Sequence, residues 1–479
     1  MMIKILVRKL HFLAFLLLAA VVLQAQTSTP SSNPGADTPA PAGSESTQSN
    51  ATPAASAQPA HSTGEGPQLA VESDPEYKNV LVGNVMGSAS FDDHGLSSQV
   101  TPGVQVSDAR FAVQPSLAFQ QTWQKMNWTL SYTPGVSISQ HDVNDYQYTQ
   151  NAGGQYVWQP SSRFRLQLRQ DYTVTTNPFE SVGREPLLPT LGGFTGPTSN
   201  NLLPANIKRE MMVSNAEVMT RLSPHSALGF TGGYQKYNYG DVAGSDSTTP
   251  LTLTASHTYL GTAFYSLQVS PDMTIGVQSA VFDIFSDLQF SAPSRTQAYD
   301  AQLFDAWKLS PRSILTIFAG PEYSRDYEPQ LNLAISKHWR PEAGVTYAWN
   351  GSKNAFTLDY VRRISDGGGL MGSALTNRGA AGLRSQLSRY WGLEERLEAS
   401  DQLEVQGLVE FQSYWAGIGL TRDLGRHLLF RLDYAHVRQI TPGLASLPST
   451  VKELLSLSSG DHNLVQFSVD YHFVKPVGR

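Results

Sequence analysis

Arg165 and Arg169 flank Gln167 in the run Phe164-Arg165-Leu166-Gln167-Leu168-Arg169-Gln170, where polar and apolar residues alternate. The same spacing sets Arg431 and Asp433 against Phe430, Leu432 and Tyr434. It also sets Asp470, with Gln466, Ser468 and His472, against Val465, Phe467, Val469, Tyr471 and Phe473. Asp359 and Arg363 share a parity in a further run, and Lys308 and Arg384 are weaker members of the same set. Successive side chains of an extended chain point to opposite faces, so these charges gather on one surface. Such a surface can select mobile ions by sign, and its arginines can hold acidic sugars through paired hydrogen bonds. The alternative is that the same charges neutralise one another as a ladder across neighbouring strands.

Other chemistry finds little to work with. The chain has no cysteine, which excludes disulfides, thiolate-held metals and a cysteine nucleophile. Asp92-Asp93-His94 pairs acids with a histidine, but Gly95 and Ser97 beside it fit an ordinary solvated loop. His225, His338, His436, His462 and His472 have no metal-ligand spacing, and no HExxH, GxSxG or phosphate-binding glycine loop occurs. The expectation is therefore no enzyme, no catalytic residues, no metal and no cofactor. The 40 acidic residues exceed the 34 basic ones, which disfavours a nucleic-acid partner.

The elements that carry the charges are long. Alternating runs reach about 10 to 14 residues, against about 5 or 6 for the usual strand of a soluble sheet, and a tilted membrane-crossing strand needs about 9 to 11. Short connections rich in Pro, Gly and Ser join these runs. They fall at Gln121 to Met126, Trp158 to Ser162, Leu222 to Ser226, Val269 to Met273, Leu309 to Ser313, Trp349 to Lys353, Arg389 to Trp391 and Asp423 to His427. Pro271, Pro311, Gly351 and Trp391 recur every 40 residues, so the repeating unit is one hairpin plus one long loop. Long connections, including Asn177 to Ile207, Gly240 to Pro250, Asp287 to Pro293, Gly367 to Ala374 and Thr441 to Asp461, alternate with the short ones.

That asymmetry predicts an all-β, transmembrane, antiparallel up-and-down β-barrel with short periplasmic turns and long extracellular loops. Eight short turns give about 18 strands, with 16 as the alternative because Trp391 to Gln412 is ambiguous. Within hydrocarbon a sheet must leave no edge, so the last strand, ending at Phe473, should pair with the first, near Val80 to Phe91. Trp123, Trp128, Trp158, Trp307, Trp339, Trp349, Trp391 and Trp415 should form girdles at the membrane interfaces, with a sugar-stacking track in the lumen as the alternative. A barrel this wide should enclose water, with Arg165, Arg169, Asp359, Arg363, Arg431, Asp433 and Asp470 lining it.

Ahead of the barrel, Lys4, Arg8 and Lys9 precede an apolar stretch from Leu10 to Leu23, which reads as a signal peptide over residues 1–25. The segment 26–78 is rich in Ser, Thr, Pro and Ala, and up to Ala70 it has no aromatic residue, so a disordered periplasmic spacer is expected. It offers too little for the folded plug of an energy-driven transporter. The barrel is assigned to 79–473 and a tail to 474–479.

The stretch Val361-Arg362-Arg363-Ile364-Ser365-Asp366-Gly367-Gly368-Gly369-Leu370, with Ala381-Gly382-Leu383 and Leu387-Ser388-Arg389-Tyr390-Trp391, resembles uncharacterised bacterial outer-membrane β-barrel proteins. These are similar to porin-like barrels associated with exopolysaccharide or exosortase systems. The resemblance implies a fold and a compartment, the outer membrane, and carries no site residue. The terminal Val469, Tyr471 and Phe473 resemble the signal read by the barrel-assembly machinery, a partner expected together with outer-membrane lipid. The expected function is a pore passing polar solutes or secreted polysaccharide. The alternative is a non-conducting surface barrel whose outer loops bind a partner or organise exopolysaccharide.

Overall fold

The structure is a computed structural model that describes residues 79–93, 107–140, 146–175, 208–240, 255–287, 293–328, 333–367, 372–405, 410–425, 427–442 and 460–476. The signal-peptide and spacer expectations, His94 and most of the long connections, Asn177 to Ile207 among them, lie outside the described residues.

Eighteen strands follow one another: β1 (Asn79–Asp92), β2 (Asp108–Thr122), β3 (Met126–Ser139), β4 (Tyr146–Ser161), β5 (Phe164–Thr175) and β6 (Arg209–Ser223). Next come β7 (Ser226–Tyr239), β8 (Ala255–Ser270), β9 (Met273–Asp287), β10 (Ser294–Ser310), β11 (Ser313–Glu328) and β12 (Leu333–Asn350). The last are β13 (Asn354–Asp366), β14 (Ser373–Gln386), β15 (Trp391–Glu404), β16 (Glu410–Asp423), β17 (Leu428–Ile440) and β18 (Gly460–Pro476). Each pairs antiparallel with its neighbours in sequence, and β1 pairs with both β2 and β18, so the sheet is a closed ring. Closure runs from Val80 opposite Pro476 to Asp92 opposite Leu464, and β18 continues three residues past Phe473.

The tight turns are built by the residues that marked them in the sequence. Ser161, Ser223, Ser270 and Ser310 each accept, on the side-chain hydroxyl, the N–H two residues on, at 3.2–3.3 Å. In two of these turns the hydroxyl also meets the closing serine at 2.7 Å, Ser223 with Ser226 and Ser310 with Ser313. This local bonding offers the backbone an alternative to the ladder at the point where the chain reverses, and the following residue, proline in three of the four, presets the bend.

The usual arrangement of a soluble core is inverted. Outward positions carry Phe111, Leu303 and Trp339, 61%, 69% and 72% exposed, while Asn84, Glu322, Asp326, Glu342 and Gln402 are buried inside the ring. Seven of the tryptophans fit an outer position or a turn. Trp415 departs from the girdle expectation: alternation from exposed Tyr414 and Ile418 turns it inward, where it packs with Ala435, Val437 and Leu464. Its ring lies over Gly417, where an added side chain would collide with it.

At the seam, Phe473 lies flat over Gly83 of the facing strand. A Gly83→Val substitution should therefore cost about 1–3 kcal/mol through overpacking. The expected result is a smaller heat-modifiable, folded fraction on gels after refolding into vesicles; an unchanged fraction would contradict the seam geometry.

Candidate functional site

The charges singled out from the sequence all lie on inward-facing positions, but most are engaged with one another. Arg169 Nε donates to Asp171 at 2.5 Å, and Arg165 donates to Gln167 at 2.6 Å. Arg431 is paired with Asp433 at 2.7 Å and with Glu394 at 3.3 Å, and Glu394 also takes Arg384 at 3.3 Å. Asp470 accepts from Asn84 Nδ2 across the closure seam at 2.8 Å, and Asp359 accepts from Thr346 at 2.8 Å. Lys308 stands exposed at the short-turn end of β10. The arrangement over β14, β15 and β17 is the ladder form of the two alternatives.

Arg363 belongs to a different arrangement, one that alternation did not anticipate. β12 and β13 pair only from Asn350 opposite Ala355 to Ala343 opposite Arg362, although β12 runs on to Leu333 and β13 to Asp366. Beyond Arg362 the end of β13 parts from β12 and folds inward with the end of β14, the two still paired with each other and β14 still paired with β15 as far as Ala374 opposite Glu404. By alternation from Tyr360, which is 43% exposed on the outside, Ile364 should face outward; it is 1% exposed. It packs instead with Phe282, Ile284, Ala280 and Ala298 on the inner wall of β9 and β10, together with Val405 from the end of β15.

Polar contacts fix the same placement. Ser256 of β8 donates to Asp366 at 3.5 Å, and Thr296 of β10 meets Ser373 at 2.5 Å. Arg340 of β12 donates to the carbonyl of Val405 at 3.4 Å. β8 and β13 are separated by four intervening strands in the ring. A contact between them requires that the β13–β14 hairpin fold into the cylinder. The hairpin therefore presents its formerly outward side to the inner wall of β8 to β10.

Three buried carboxylates, Asp300, Glu322 and Glu342, lie between hairpin and wall. Glu322 accepts the backbone N–H of Ile364 at 3.1 Å, replacing the ladder bond lost where β13 leaves β12. Arg363 is within electrostatic reach of all three carboxylates, and Arg340 of Glu322. At the base of the hairpin, Arg378 donates twice to Glu398, at 3.0 and 3.4 Å, and Arg396 donates once at 2.8 Å. These groups were missed because Gly367-Gly368-Gly369 suggested an outer loop. The available signal was the shared parity of Asp300, Glu322 and Glu342 on three consecutive strands.

Asp92 and Asp93 serve the wall. Asp92 pairs with His462 at 3.5 Å, and Asp93 accepts from the N–H and Nδ2 of Asn463 at 2.7 and 2.5 Å, tying β1 to β18 at the long-connection end.

No protein-family model matches the chain, and no curated protein matches it. Among solved structures it is similar to Pseudomonas aeruginosa OccK2, with 9% identity, a TM-score of 0.43, and coverage of 83% of this chain and 98% of the other. Acinetobacter baumannii OccAB3 gives 11% identity, a TM-score of 0.41, and coverage of 83% and 99%. P. aeruginosa OccK5 gives 13% identity, a TM-score of 0.41, and coverage of 83% and 98%. Likeness at this level assigns neither a solute nor a site residue.

Glu398 is 3% exposed at its side chain, between two arginines. Glu398→Ala should destabilise the barrel by about 3–5 kcal/mol, because it leaves buried cations without their counter-charge. A lowered urea midpoint in vesicles is expected, and a midpoint equal to that of the parent would remove Glu398 as the anchor of the hairpin.

Proposed function

We propose that the protein is a pore-like barrel of the bacterial outer membrane that lets polar solutes through a passage narrowed by the β13–β14 hairpin. The observation that carries this reading is the inversion of polarity in a sheet without edges. A wall with Phe111, Leu303 and Trp339 exposed outside and Asn84, Glu322 and Glu342 inside suits hydrocarbon around it. A soluble protein with so continuous an apolar exterior would associate. Closure satisfies the backbone groups that lipid cannot. The short turns then face the periplasm and the long connections the outside.

Within the passage, Arg165, Arg169, Arg384 and Arg431 occupy inward positions, each with an acidic or amide neighbour. Such a mixed lining suits small polar solutes of either sign, with a bias set by the arginines that retain exposure, Arg169 and Arg384 at 39% and 42%. Secreted polysaccharide is the larger cargo considered from the sequence. The hairpin across the lumen weighs against a bulky polymer unless the hairpin moves.

The hairpin also favours a second reading, a non-conducting barrel whose outer loops bind a partner, since Ile364 and Val405 hold it inside the ring by an apolar contact with the wall of β9 and β10. Planar-bilayer recording separates the two. The pore reading predicts discrete conductance steps from the purified protein, and their absence would favour the surface barrel. Ile364→Asp, which places a charge against Phe282 and Ile284, should enlarge the steps; unchanged steps would take the hairpin out of the conduction path. In the same assay, Arg165→Ala with Arg169→Ala should shift the reversal potential toward cation preference. An unshifted potential would place both side chains away from the passage.

A further inference from the structure

On the outer face, at the long-connection end of β10 to β12, two cations stand side by side with no counter-ion among the described residues. Arg325 of β11 lies directly opposite Lys337 of β12. Like charges facing each other across two strands destabilise a sheet unless something offsets them. Among the described residues no carboxylate forms an ion pair with either one. Two other outward cations at this end do have such a partner: Arg295 donates twice to Asp283, at 2.7 and 2.5 Å, and Arg438 meets Asp461 at 3.6 Å.

The surroundings hold Arg325 in place for something else. Its guanidinium sits 5.6, 5.9 and 5.7 Å from the ring centres of Tyr299, Tyr323 and Tyr327, and it donates to the Tyr299 hydroxyl at 3.2 Å. Its Nε is covered and has no hydrogen-bond partner. One pair of residues below, Tyr323 packs on Trp339 at 4.9 Å, and Trp339 is 72% exposed, which is the position of an interfacial aromatic. Aromatic rings thus fix a preorganised guanidinium beside an exposed ammonium at the level where headgroups begin.

We propose that Arg325 and Lys337 form a docking site for a phosphorylated glycolipid of the outer leaflet, with the acyl chains lying on the apolar wall below Trp339. The guanidinium offers the planar fork that matches phosphate, and the ammonium adds a second charge. The inference rests on the outer-membrane placement proposed above.

The test uses the full chain, purified in detergent, with native mass spectrometry after addition of bisphosphorylated lipid A or the same lipid with both phosphates removed. The parent should retain the phosphorylated lipid and release the other. Arg325→Ala with Lys337→Ala, which removes both cations, should lower the adduct by at least about tenfold, the least expected from losing even one charge-assisted hydrogen bond, and Arg438→Ala should leave it unchanged. Folding of each variant is checked by heat modifiability, and the milder Arg325→Gln should give a partial loss if the double variant fails to fold. Equal retention of both lipids, or a folded variant that binds as the parent does, would overturn the inference while leaving the barrel reading intact. A chain that fractionates away from the outer membrane would overturn both.

Discussion

The pairing of β1 with β18 is the interaction on which the remaining structure depends. A sheet with an edge would leave a row of backbone donors and acceptors without partners in hydrocarbon, at a cost of several kcal/mol per group. Closing the ring from Val80–Pro476 to Asp92–Leu464 removes that cost, and Asp93 with Asn463 extends the tie past the last ladder pair. Once the ring is shut, alternation sends every second residue inward, and the polarity of each strand is fixed by its place in the wall.

Closure with this many strands creates an interior wider than side chains can fill. The chain meets that problem by bending part of its own wall inward. Where β13 separates from β12, the freed N–H of Ile364 is taken by Glu322, and the apolar face of the hairpin finds Phe282 and Ile284. Burying Ile364 and Val405 against that wall is favourable at about 25 cal/mol per Å² of apolar surface. The buried carboxylates and arginines between hairpin and wall make the contact one of defined geometry, since each misplacement would leave a charge unpaired. The arginine and acid ladder of β5, β14, β15 and β17 stands on the remaining inner face.

Much of this was legible in the sequence because closed antiparallel barrels reduce to two local rules, strict alternation and tight turns. Strand number followed from counting Ser, Pro and Gly turns, and the pairing of the termini followed from the need to leave no edge. The hairpin was not legible, because Arg362-Arg363-Ile364-Ser365-Asp366 continues a strand pattern while its partner on one side changes from β12 to the inner face of β8 to β10. Alternation gives parity relative to the local sheet and says nothing about whether that sheet stays in the wall. Trp415 shows the same limit: an aromatic near a strand end suits a girdle, and only its register opposite Glu398 and Val437 turns it inward.

The placement of the hairpin inside the cylinder is open to direct measurement, because the chain has no cysteine of its own. Ser256→Cys combined with Asp366→Cys, oxidised in intact cells, should form a disulfide, as should a control pair across the closure seam, Ser88→Cys with Ser468→Cys. Formation of both bonds is the predicted result. A control pair that links while the Ser256 and Asp366 positions stay reduced would show that the hairpin remains in the wall and that the interior is not crossed.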